Sequence, residues 1–343
     1  MPIDYLLSVV RYPLSVLLSR SRFTVTVHGY LMDKVLITGG AGFIGSNLAT
    51  VLLNLGYEVV IIDNLSTGRR ENVPPKAKFY EVDIVNPLVN GVVFKEKPKV
   101  IFHLAALTDT TISEDSIRKD IKVNLIGTLN ILRGARAANV EKFIFTSTAA
   151  VYGNSSSLPI KETAKTCPIS PYGIGKLTCE NYIRIFCEAE GIKYTILRYS
   201  NVYGPRQYPK GESGAIPIFI QKVLKGETPT LFGNGKQIRD YIYVDDVVSA
   251  TQKAIARADA KILNVSTSIG TSTEKLYKMV VQKLCLNPPK GEPRQRFKQS
   301  RPGEIKKSIL ANSLAKRQLG WQPKIDLSTG IEKTIEWWRE QKW

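Results

Sequence analysis

A tyrosine and a lysine four residues apart, Tyr172 and Lys176, are the side chains of this chain with the clearest capacity for chemistry. On an α-helix, residues i and i+4 lie one above the other, so the two side chains share a face. A tyrosine has a pKa of about 10, and its ionisation near neutral pH needs about 4 kcal/mol of differential stabilisation. An ammonium group and a second nearby cation can together supply it. The pair therefore predicts a tyrosine base, while the same spacing also occurs on ordinary solvated helix faces.

A glycine-rich segment upstream predicts the redox partner of this base. The strand-like run Lys34–Thr38 leads into Gly39, Gly42 and Gly45, and a helix-patterned run follows through Leu53. Glycines at this spacing let the chain turn tightly and bring a pyrophosphate close to the backbone. The N-terminus of the following helix then faces the phosphates. We predict a dinucleotide-binding βαβ unit.

The residue at the end of the second strand bears on the choice of dinucleotide. The run 58–62 ends at Asp63, 24 residues after Gly39. A carboxylate at this place accepts a hydrogen bond from the ribose 2′-hydroxyl and repels the 2′-phosphate of NADP. Arg69 and Arg70 argue for NADP, because guanidinium groups bind phosphate. On balance the sequence predicts NAD.

The rest of the first half alternates strands with helix-length segments such as 119–138 and 171–190. The further strand-like runs are 78–82, 99–104, 142–146 and 193–198. This alternation predicts an α/β fold with a Rossmann-type, doubly wound parallel sheet, whose ligands lie at the carboxyl ends of its strands. His103 and residues 146–148 occupy two such ends. A single histidine at a strand end is more often a packed residue than a general base.

Composition limits the class of protein. The 343 residues suffice for two lobes, and 43% hydrophobic content can fill a sizeable core. The four cysteines show neither a CxxC pair nor a small-scaffold spacing, so we predict no metal site, no disulfide framework and a cytoplasmic location. The net charge of +18 attracts small phosphorylated ligands as well as polyanions. No apolar run reaches the roughly 20 residues of a membrane helix.

Residues 1–31 precede the first strand and are interpreted as an N-terminal extension outside the fold. Their apolar stretch carries Arg11 and Pro13 and lacks a leading basic cluster, which makes it a poor signal peptide. A short amphipathic contact with a membrane or a partner is the alternative.

Taken together, these residues and several downstream motifs resemble the extended short-chain dehydrogenase/reductase family, in its NAD-dependent epimerase/dehydratase group. The resemblance runs from about Met32 to the C-terminus. The downstream motifs are Arg198-Tyr-Ser-Asn201-Val-Tyr-Gly-Pro-Arg206, Gly233-Asn-Gly-Lys-Gln-Ile-Arg239-Asp-Tyr241, Arg301-Pro-Gly-Glu304 and Leu319-Gly-Trp321. They are specific for members that modify nucleotide sugars.

The resemblance implies a role for each matching residue. It assigns catalysis to Thr148, Tyr172 and Lys176. It implies that NAD contacts Gly39, Gly42, Phe43, Ile44, Gly45, Asp63, Asn64, Ser66, Thr67, Gly68, Asp83, Ile84, Leu104, Ala105, Ala106, Asn124, Tyr172 and Lys176. It implies that the substrate contacts Thr148, Asn201, Arg239, Arg301 and Ser308. No metal is implied.

Two alanines indicate which reaction of the group remains. Dehydratases of the group have an Asp-Glu pair after the active-site threonine, whereas this chain has Ala149 and Ala150, which cannot transfer protons. The acidic residue expected in decarboxylases is likewise missing nearby. The resemblance therefore implies C4 epimerisation of UDP-glucose and UDP-galactose. In that mechanism Tyr172, assisted by Thr148, removes the C4 hydroxyl proton while the C4 hydride passes to NAD⁺, and the hydride then returns to the opposite face.

The width of the sugar site is expected to depend on the position seven residues after Arg301. A bulky residue there narrows the site against 2-acetamido sugars in similar epimerases. This chain has Ser308. We therefore predict activity on UDP-N-acetylglucosamine and UDP-N-acetylgalactosamine as well.

The predicted domains are a NAD-binding lobe, 32–198 with about 241–265, and a smaller α/β nucleotide-sugar lobe, about 200–238 with 266–343. The resemblance implies a homodimer through 119–138 and 171–190, although the apolar faces of these helices would also serve core packing.

Two alternative functions stay open at this point. One is a UDP-glucuronate epimerase or another nucleotide-sugar epimerase. The other is a non-catalytic protein that binds NAD or nucleic acid, which the intact Thr148, Tyr172 and Lys176 disfavour. We expect neither a membrane nor a nucleic-acid partner.

Overall fold

The computed structural model describes residues 33–108, 117–209, 214–284, 296–298 and 305–341. The extension 1–31 and Arg301 lie outside the described residues. The described chain groups as one compact unit. No helix in these ranges combines the length and apolar character needed to cross a membrane.

A seven-stranded parallel sheet forms the centre of this unit. Across the sheet the strands are β10 (Lys261–Val265), β6 (Lys193–Tyr199), β5 (Lys142–Thr148), β4 (Val100–His103), β1 (Lys34–Thr38), β2 (Glu58–Asp63) and β3 (Lys78–Glu81). The chain runs outward from β1 through β2 to β3 and then crosses to β4 on the other side of β1. The switch point between β1 and β4 is where ligands of such sheets bind. The predicted doubly wound sheet is confirmed.

Helices cover both faces of the sheet. They are α1 (Phe43–Asn54), α2 (Val89–Glu96), α3 (Ile117–Asp120), α4 (Gly127–Ala137), α5 (Pro171–Glu190), α6 (Ala215–Leu224), α7 (Val244–Lys253), α8 (Thr273–Leu284), α9 (Ser313–Leu319) and α10 (Leu327–Glu340). Because successive side chains of a strand point to opposite faces, Val35 and Ile37 lie in one hydrophobic core and Leu36 in the other. The first core extends from the sheet to Trp338 of α10.

The helical stretch predicted over 119–138 is not one regular helix. A π-helical segment, Ile121–Ile126, joins α3 to α4. Within it the Asn124 carbonyl accepts hydrogen bonds from the Thr128 hydroxyl at 2.5 Å and the Cys179 thiol at 3.2 Å. Such side-chain donors satisfy a carbonyl where the regular helical pattern is interrupted.

A second, four-stranded sheet lies in the later part of the chain. It contains β7 (Asn201–Tyr203), β9 (Ile238–Tyr243), β11 (Gly270–Ser272) and β13 (Lys307–Ser308), while β8 (Thr230–Phe232) pairs with β12 (Arg296–Lys298). Of the predicted return segment 241–265, helix α7 and strand β10 rejoin the main sheet, whereas Tyr241 to Tyr243 belong to the second sheet. The division into two lobes stays a prediction.

Candidate active site

The glycine turn between β1 and α1 is built for close approach to the backbone. Gly39 has φ 71°, and a Cβ there would lie 2.7 Å from the amide nitrogen of Ala105. A Cβ at Gly45 would overlap the Gly39 carbonyl. No side chain caps α1 at Gly42. The amides of Phe43, Ile44 and Gly45 at the start of α1 therefore fit a pyrophosphate, and the turn fits a dinucleotide.

Asp63 ends β2 beside this turn. Its carboxylate accepts hydrogen bonds from the amides of Ala41 at 3.0 Å and Leu65 at 2.8 Å. A Cβ at Gly68 would lie 2.9 Å from the Asp63 carboxylate, so the loop after β2 folds closely over it. Burial raises the pKa of Asp63, and the two amide bonds oppose that rise.

Of the other residues predicted to contact the adenosine half of NAD, Ser66 and Thr67 lie in an exposed loop, whereas Ile84 is buried. Asn64 donates to the Asp83 carboxylate at 3.0 Å and accepts from the Ser66 hydroxyl at 2.7 Å. Ser66 and Thr67 are exposed. Ile84 is buried and packs where a Cβ on Gly127 would otherwise sit, so its side chain belongs to the core.

Arg69 and Arg70, whose guanidinium groups could bind the 2′-phosphate of NADP, contact other side chains of the protein. The guanidinium of Arg69 stacks 3.4 Å from the centroid of the Tyr208 ring and pairs with Glu71 at 3.1 Å. That of Arg70 lies 4.1 Å from the centroid of the Phe79 ring. These contacts weaken the case for a 2′-phosphate site.

The segment after β4, which carries Leu104, Ala105 and Ala106, is held by side chains from two other elements. The Ala105 amide donates to the Thr38 hydroxyl at 3.1 Å. Asn124 accepts from the Leu107 amide at 2.7 Å and donates to the Leu107 carbonyl at 3.1 Å and to Asp120 at 2.6 Å. The Asn124 amide thus fixes the loop at the switch point, and its direct contact with NAD stays a prediction.

His103 is a packed residue, as its position at a strand end predicted. Its Nδ1 lies 2.7 Å from the Thr38 hydroxyl and its Nε2 lies 2.9 Å from the Thr128 hydroxyl. Because Thr128 donates its own proton to the Asn124 carbonyl, Nε2 carries the ring proton and Nδ1 accepts from Thr38. Burial, with the charge of Lys176, lowers the pKa of His103 to about 3. The ring is therefore neutral at pH 7.

The predicted catalytic residues come from the end of β5 and the start of α5. Thr148 ends β5, and its hydroxyl oxygen accepts from the Ala150 amide at 3.2 Å, which caps the short 3₁₀ turn Ala149–Tyr152. Ser170 caps α5 by accepting from the Gly173 amide at 3.2 Å. A Cβ on Gly173 would lie 2.9 Å from the Ala150 carbonyl, so the first turn of α5 abuts the turn after β5.

Lys176 lies one helical turn beyond Tyr172 and is buried. Its ammonium donates to the Thr146 carbonyl at 2.8 Å and lies 4.5 Å from the centroid of the Phe145 ring. Burial lowers the pKa of Lys176 to about 8, while Cys179, Asp120 and Glu180 oppose that fall. The lysine therefore remains largely cationic at pH 7.

Two of the predicted substrate residues are neighbours in the second sheet. Ser308 pairs with Arg239 between β13 and β9, and Asn201 pairs with Tyr241 between β7 and β9. The Arg239 guanidinium donates to the Ile238 carbonyl at 3.0 Å. Ser308 is buried. Arg301 lies outside the described residues, so its predicted contact with the diphosphate stays a prediction.

Sequence reasoning missed two buried carboxylates near Lys176. Asp120 stands four residues before Asn124, and Glu180 stands four residues after Lys176. Both are buried. The available signal was helical spacing, since charged residues one turn from a site residue share its face.

The fold and this site define a Rossmann-type dinucleotide-binding protein. Residues 35–269 match the model of the NAD dependent epimerase/dehydratase family. A putative UDP-glucose 4-epimerase of Methanocaldococcus jannaschii is 40% identical over 88% of this chain and 97% of its own length.

Two solved structures are similar over most of the chain. The UDP-glucose 4-epimerase of Thermotoga maritima, crystallised with UDP-glucose, has a TM-score of 0.86 and 42% identity, covering 90% of this chain and 99% of its own. The UDP-glucose 4-epimerase of Thermus thermophilus, in complex with NAD, has a TM-score of 0.84 and 36% identity, with the same coverage of 90% and 99%. This chain belongs to the NAD-dependent epimerase/dehydratase family, and NAD is its cofactor.

Proposed function

We propose that this protein is a UDP-sugar C4 epimerase that interconverts UDP-glucose and UDP-galactose. The observation that carries the proposal is the buried ammonium of Lys176, one turn above Tyr172 at the carboxyl end of β5. Ligands of a doubly wound sheet lie at this edge. The similarity to UDP-glucose 4-epimerases over most of the chain supports the same reaction.

Tyr172 acts as the base in this proposal. The Lys176 ammonium favours the ionised phenol, because an opposite charge stabilises the anion in a buried site. Thr148 orients the C4 hydroxyl, since its own oxygen is positioned by the amide of Ala150 at 3.2 Å. NAD bound at the glycine turn would supply a reversible hydride acceptor for C4, so that the hydride can return to the opposite face of the 4-keto sugar.

The diphosphate must stay bound while the 4-keto sugar turns over between the two hydride transfers. We propose that Arg239 on β9 holds the diphosphate, together with Asn201 on the adjacent β7 and with Arg301. Guanidinium groups suit the task because they make paired, charge-assisted hydrogen bonds to phosphate oxygens. Ala149 and Ala150 cannot act as acid or base, so elimination does not compete.

Replacement of the base tests the proposal directly. Tyr172→Phe should lose at least about 100-fold in kcat for UDP-galactose, because a general base contributes about 10²- to 10⁴-fold. The released cofactor should still be NAD after denaturation of the variant. Tyr57→Phe is the matched control, since Tyr57 directly precedes the amino end of β2, away from the strand ends that carry the site. A Tyr172→Phe enzyme of near-normal rate would exclude the assignment.

We also propose that the sugar site admits UDP-N-acetylhexosamines. The small side chain of Ser308 lies beside Arg239 in register, at the position where bulk would narrow the site. Assays of UDP-galactose and UDP-N-acetylgalactosamine at equal concentration test this. Turnover of UDP-galactose alone would restrict the substrate to hexoses.

We further propose that two copies of the chain associate through α5 and the helical stretch preceding α4. Ile174, Tyr182 and Ile185 recur on one face of α5 and are about half exposed, and Ile117 and Ile121 on the neighbouring stretch are similarly exposed. Exposed apolar side chains grouped on neighbouring helices indicate a protein interface. Most soluble oligomers consist of identical chains, and two-fold dimers are the commonest of these. We therefore propose a two-fold contact between two copies of this chain that buries this face.

Light scattering coupled to size exclusion tests the dimer. Ile185→Glu should convert a dimer to a monomer, because a carboxylate would be buried in an apolar interface. Leu88→Glu is the control, since Leu88 is exposed at the start of α2, away from this face. A monomeric wild-type protein would overturn the proposal.

The thiols of Cys179 and Cys187 are free and buried, which supports action in the reducing cytoplasm.

A further inference from the structure

A bidentate ion pair lies buried behind the strand end that carries Thr148. Arg198 of β6 donates through Nε to Glu180 Oε1 at 2.9 Å and through Nη2 to Oε2 at 2.5 Å. Both side chains are buried, with exposures of 4% for Arg198 and 3% for Glu180. A paired guanidinium and carboxylate fix both the distance and the relative orientation of the elements that carry them.

Further hydrogen bonds join this pair to the elements around the site. The hydroxyl of Ser147, the residue before Thr148, donates to Glu180, and Ser147 is also paired with Arg198 in the sheet. Arg198 Nη1 donates to the Tyr152 hydroxyl at 2.9 Å, and that hydroxyl donates to Asn264 of β10 at 2.8 Å. The network therefore ties α5 to β5, to the turn after β5, and to β10.

The same carboxylate stands near the catalytic cation. Glu180 follows Lys176 by four residues on α5, so it lies one turn along the same face. The titratable groups that act on Lys176 come from three elements: Asp120 of α3, His103 of β4, and Cys179 and Glu180 of α5. Because His103 is neutral, it adds no positive charge beside Lys176. The carboxylates of Asp120 and Glu180 offset the cost of burying the Lys176 ammonium.

We propose that Glu180 and Arg198 are a positioning pair for epimerisation, which holds Lys176 and Thr148 in register; within the pair, Glu180 offsets the charge of Lys176 and Arg198 limits that effect. The inference rests on the proposed function, since it assumes that Lys176 and Thr148 serve the reaction at C4. Neither member of the pair is assigned a contact with the substrate or with NAD. Each acts through the residue beside it in the fold.

The two partners should shift the pH profile of kcat in opposite directions. Glu180→Gln removes a negative charge near Lys176 and leaves the Arg198 cation, so Lys176 should lose its proton at lower pH. Arg198→Gln leaves Glu180 without its cation, so Lys176 should keep its proton to higher pH. We expect the alkaline limb of kcat to move by at least about half a pH unit in each case. Both variants should also lose about 10-fold in kcat near pH 7.

Glu96 provides a matched control for the loss of a buried carboxylate. It is 3% exposed and bonded to Lys34, Lys78 and Tyr80, near the amino end of β1, away from the strand ends that carry the site. Glu96→Gln should lower the unfolding midpoint while kcat and its alkaline limb stay unchanged. The double variant Glu180→Gln/Arg198→Gln, which removes both charges, should return the limb toward its wild-type position.

Each outcome decides one question. Opposite shifts from Glu180→Gln and Arg198→Gln support the positioning pair. Shifts of the same sign, or unchanged limbs with normal cofactor content and folding, overturn it. Failure of the proposed function would appear separately, as full activity in Tyr172→Phe or as no epimerisation by the wild-type enzyme.

Discussion

A Cβ placed on Gly175 would lie 2.8 Å from Oδ2 of Asp120. That carboxylate has little freedom to retreat, because its other oxygen accepts from Asn124 at 2.6 Å within a buried site. Gly175→Ala should therefore push α5 away from Asp120 at the end of α3. We expect a loss of about 1–3 kcal/mol in unfolding free energy, as for other overpacked sites, together with reduced kcat.

The control for this prediction is Gly91→Ala. Gly91 is also a helical glycine, and a Cβ there would meet no atom within 4 Å. Alanine is the better helix former, so this variant should gain up to about 1 kcal/mol. Urea unfolding of both variants measures the difference. Equal effects at the two positions would contradict the steric explanation.

The main sheet and the glycine turn were predictable because their signals are local. The strands begin and end within about two residues of the predicted runs, since buried parallel strands appear as continuous apolar runs. The turn at Gly39 and the carboxylate of Asp63 follow from spacing alone. The predicted roles of Tyr172 and Lys176 rest on their helical spacing and on similarity to a known family.

What escaped prediction depends on contacts between residues far apart in sequence. The pairing of Glu180 with Arg198 joins a helix to a strand, and the bond between Asn124 and Leu107 joins a helix to a loop. The π-helical segment 121–126 arises where side chains of Thr128 and Cys179 satisfy a backbone carbonyl. No local pattern specifies such partners, because propensity and periodicity describe each element alone.

Acid stability should depend on His103. The unfolded chain takes up a proton on this residue near its ordinary pKa of 6.5, whereas the folded chain does so only near a pKa of about 3. Protonation therefore favours unfolding below pH 6.5, and the stability that neutral His103 provides falls as the pH drops. Between pH 7 and pH 5 this loss amounts to about 2 kcal/mol.

Comparison of the wild-type protein with His103→Asn isolates this effect. The variant lacks the imidazole in both the folded and the unfolded state. Between pH 7 and pH 5, its unfolding free energy should therefore fall by about 2 kcal/mol less than that of the wild-type protein. Asp240, whose pKa burial raises to about 6, works the opposite way but is present in both proteins. Urea unfolding at the two pH values gives the answer, and parallel pH profiles would refute the prediction.

The cofactor preference should depend on Asp63 and not on Arg69. Asp63→Asn removes the negative charge that repels a 2′-phosphate while keeping an acceptor for the Ala41 amide. Binding of NADP relative to NAD should rise by about 10-fold, or about 1.4 kcal/mol. Arg69→Gln should leave the ratio unchanged, because Tyr208 and Glu71 already engage that guanidinium. Competitive titration of the cofactor-free variants measures both, and a large fall in NADP binding in Arg69→Gln would contradict the assignment.

The width of the sugar site should depend on Ser308, which pairs with Arg239 across β13 and β9. Ser308→Tyr should place a ring beside the arginine and narrow the site at the 2-position of the sugar. We expect kcat/KM for UDP-N-acetylgalactosamine to fall by about 10-fold or more relative to that for UDP-galactose. Lys307→Tyr is the control, because alternate strand residues point to opposite faces and Lys307 is exposed. Each ratio compares the two substrates within one variant, so any general loss of activity caused by the ring cancels. An unchanged ratio in Ser308→Tyr would show that another residue sets the width of the sugar site.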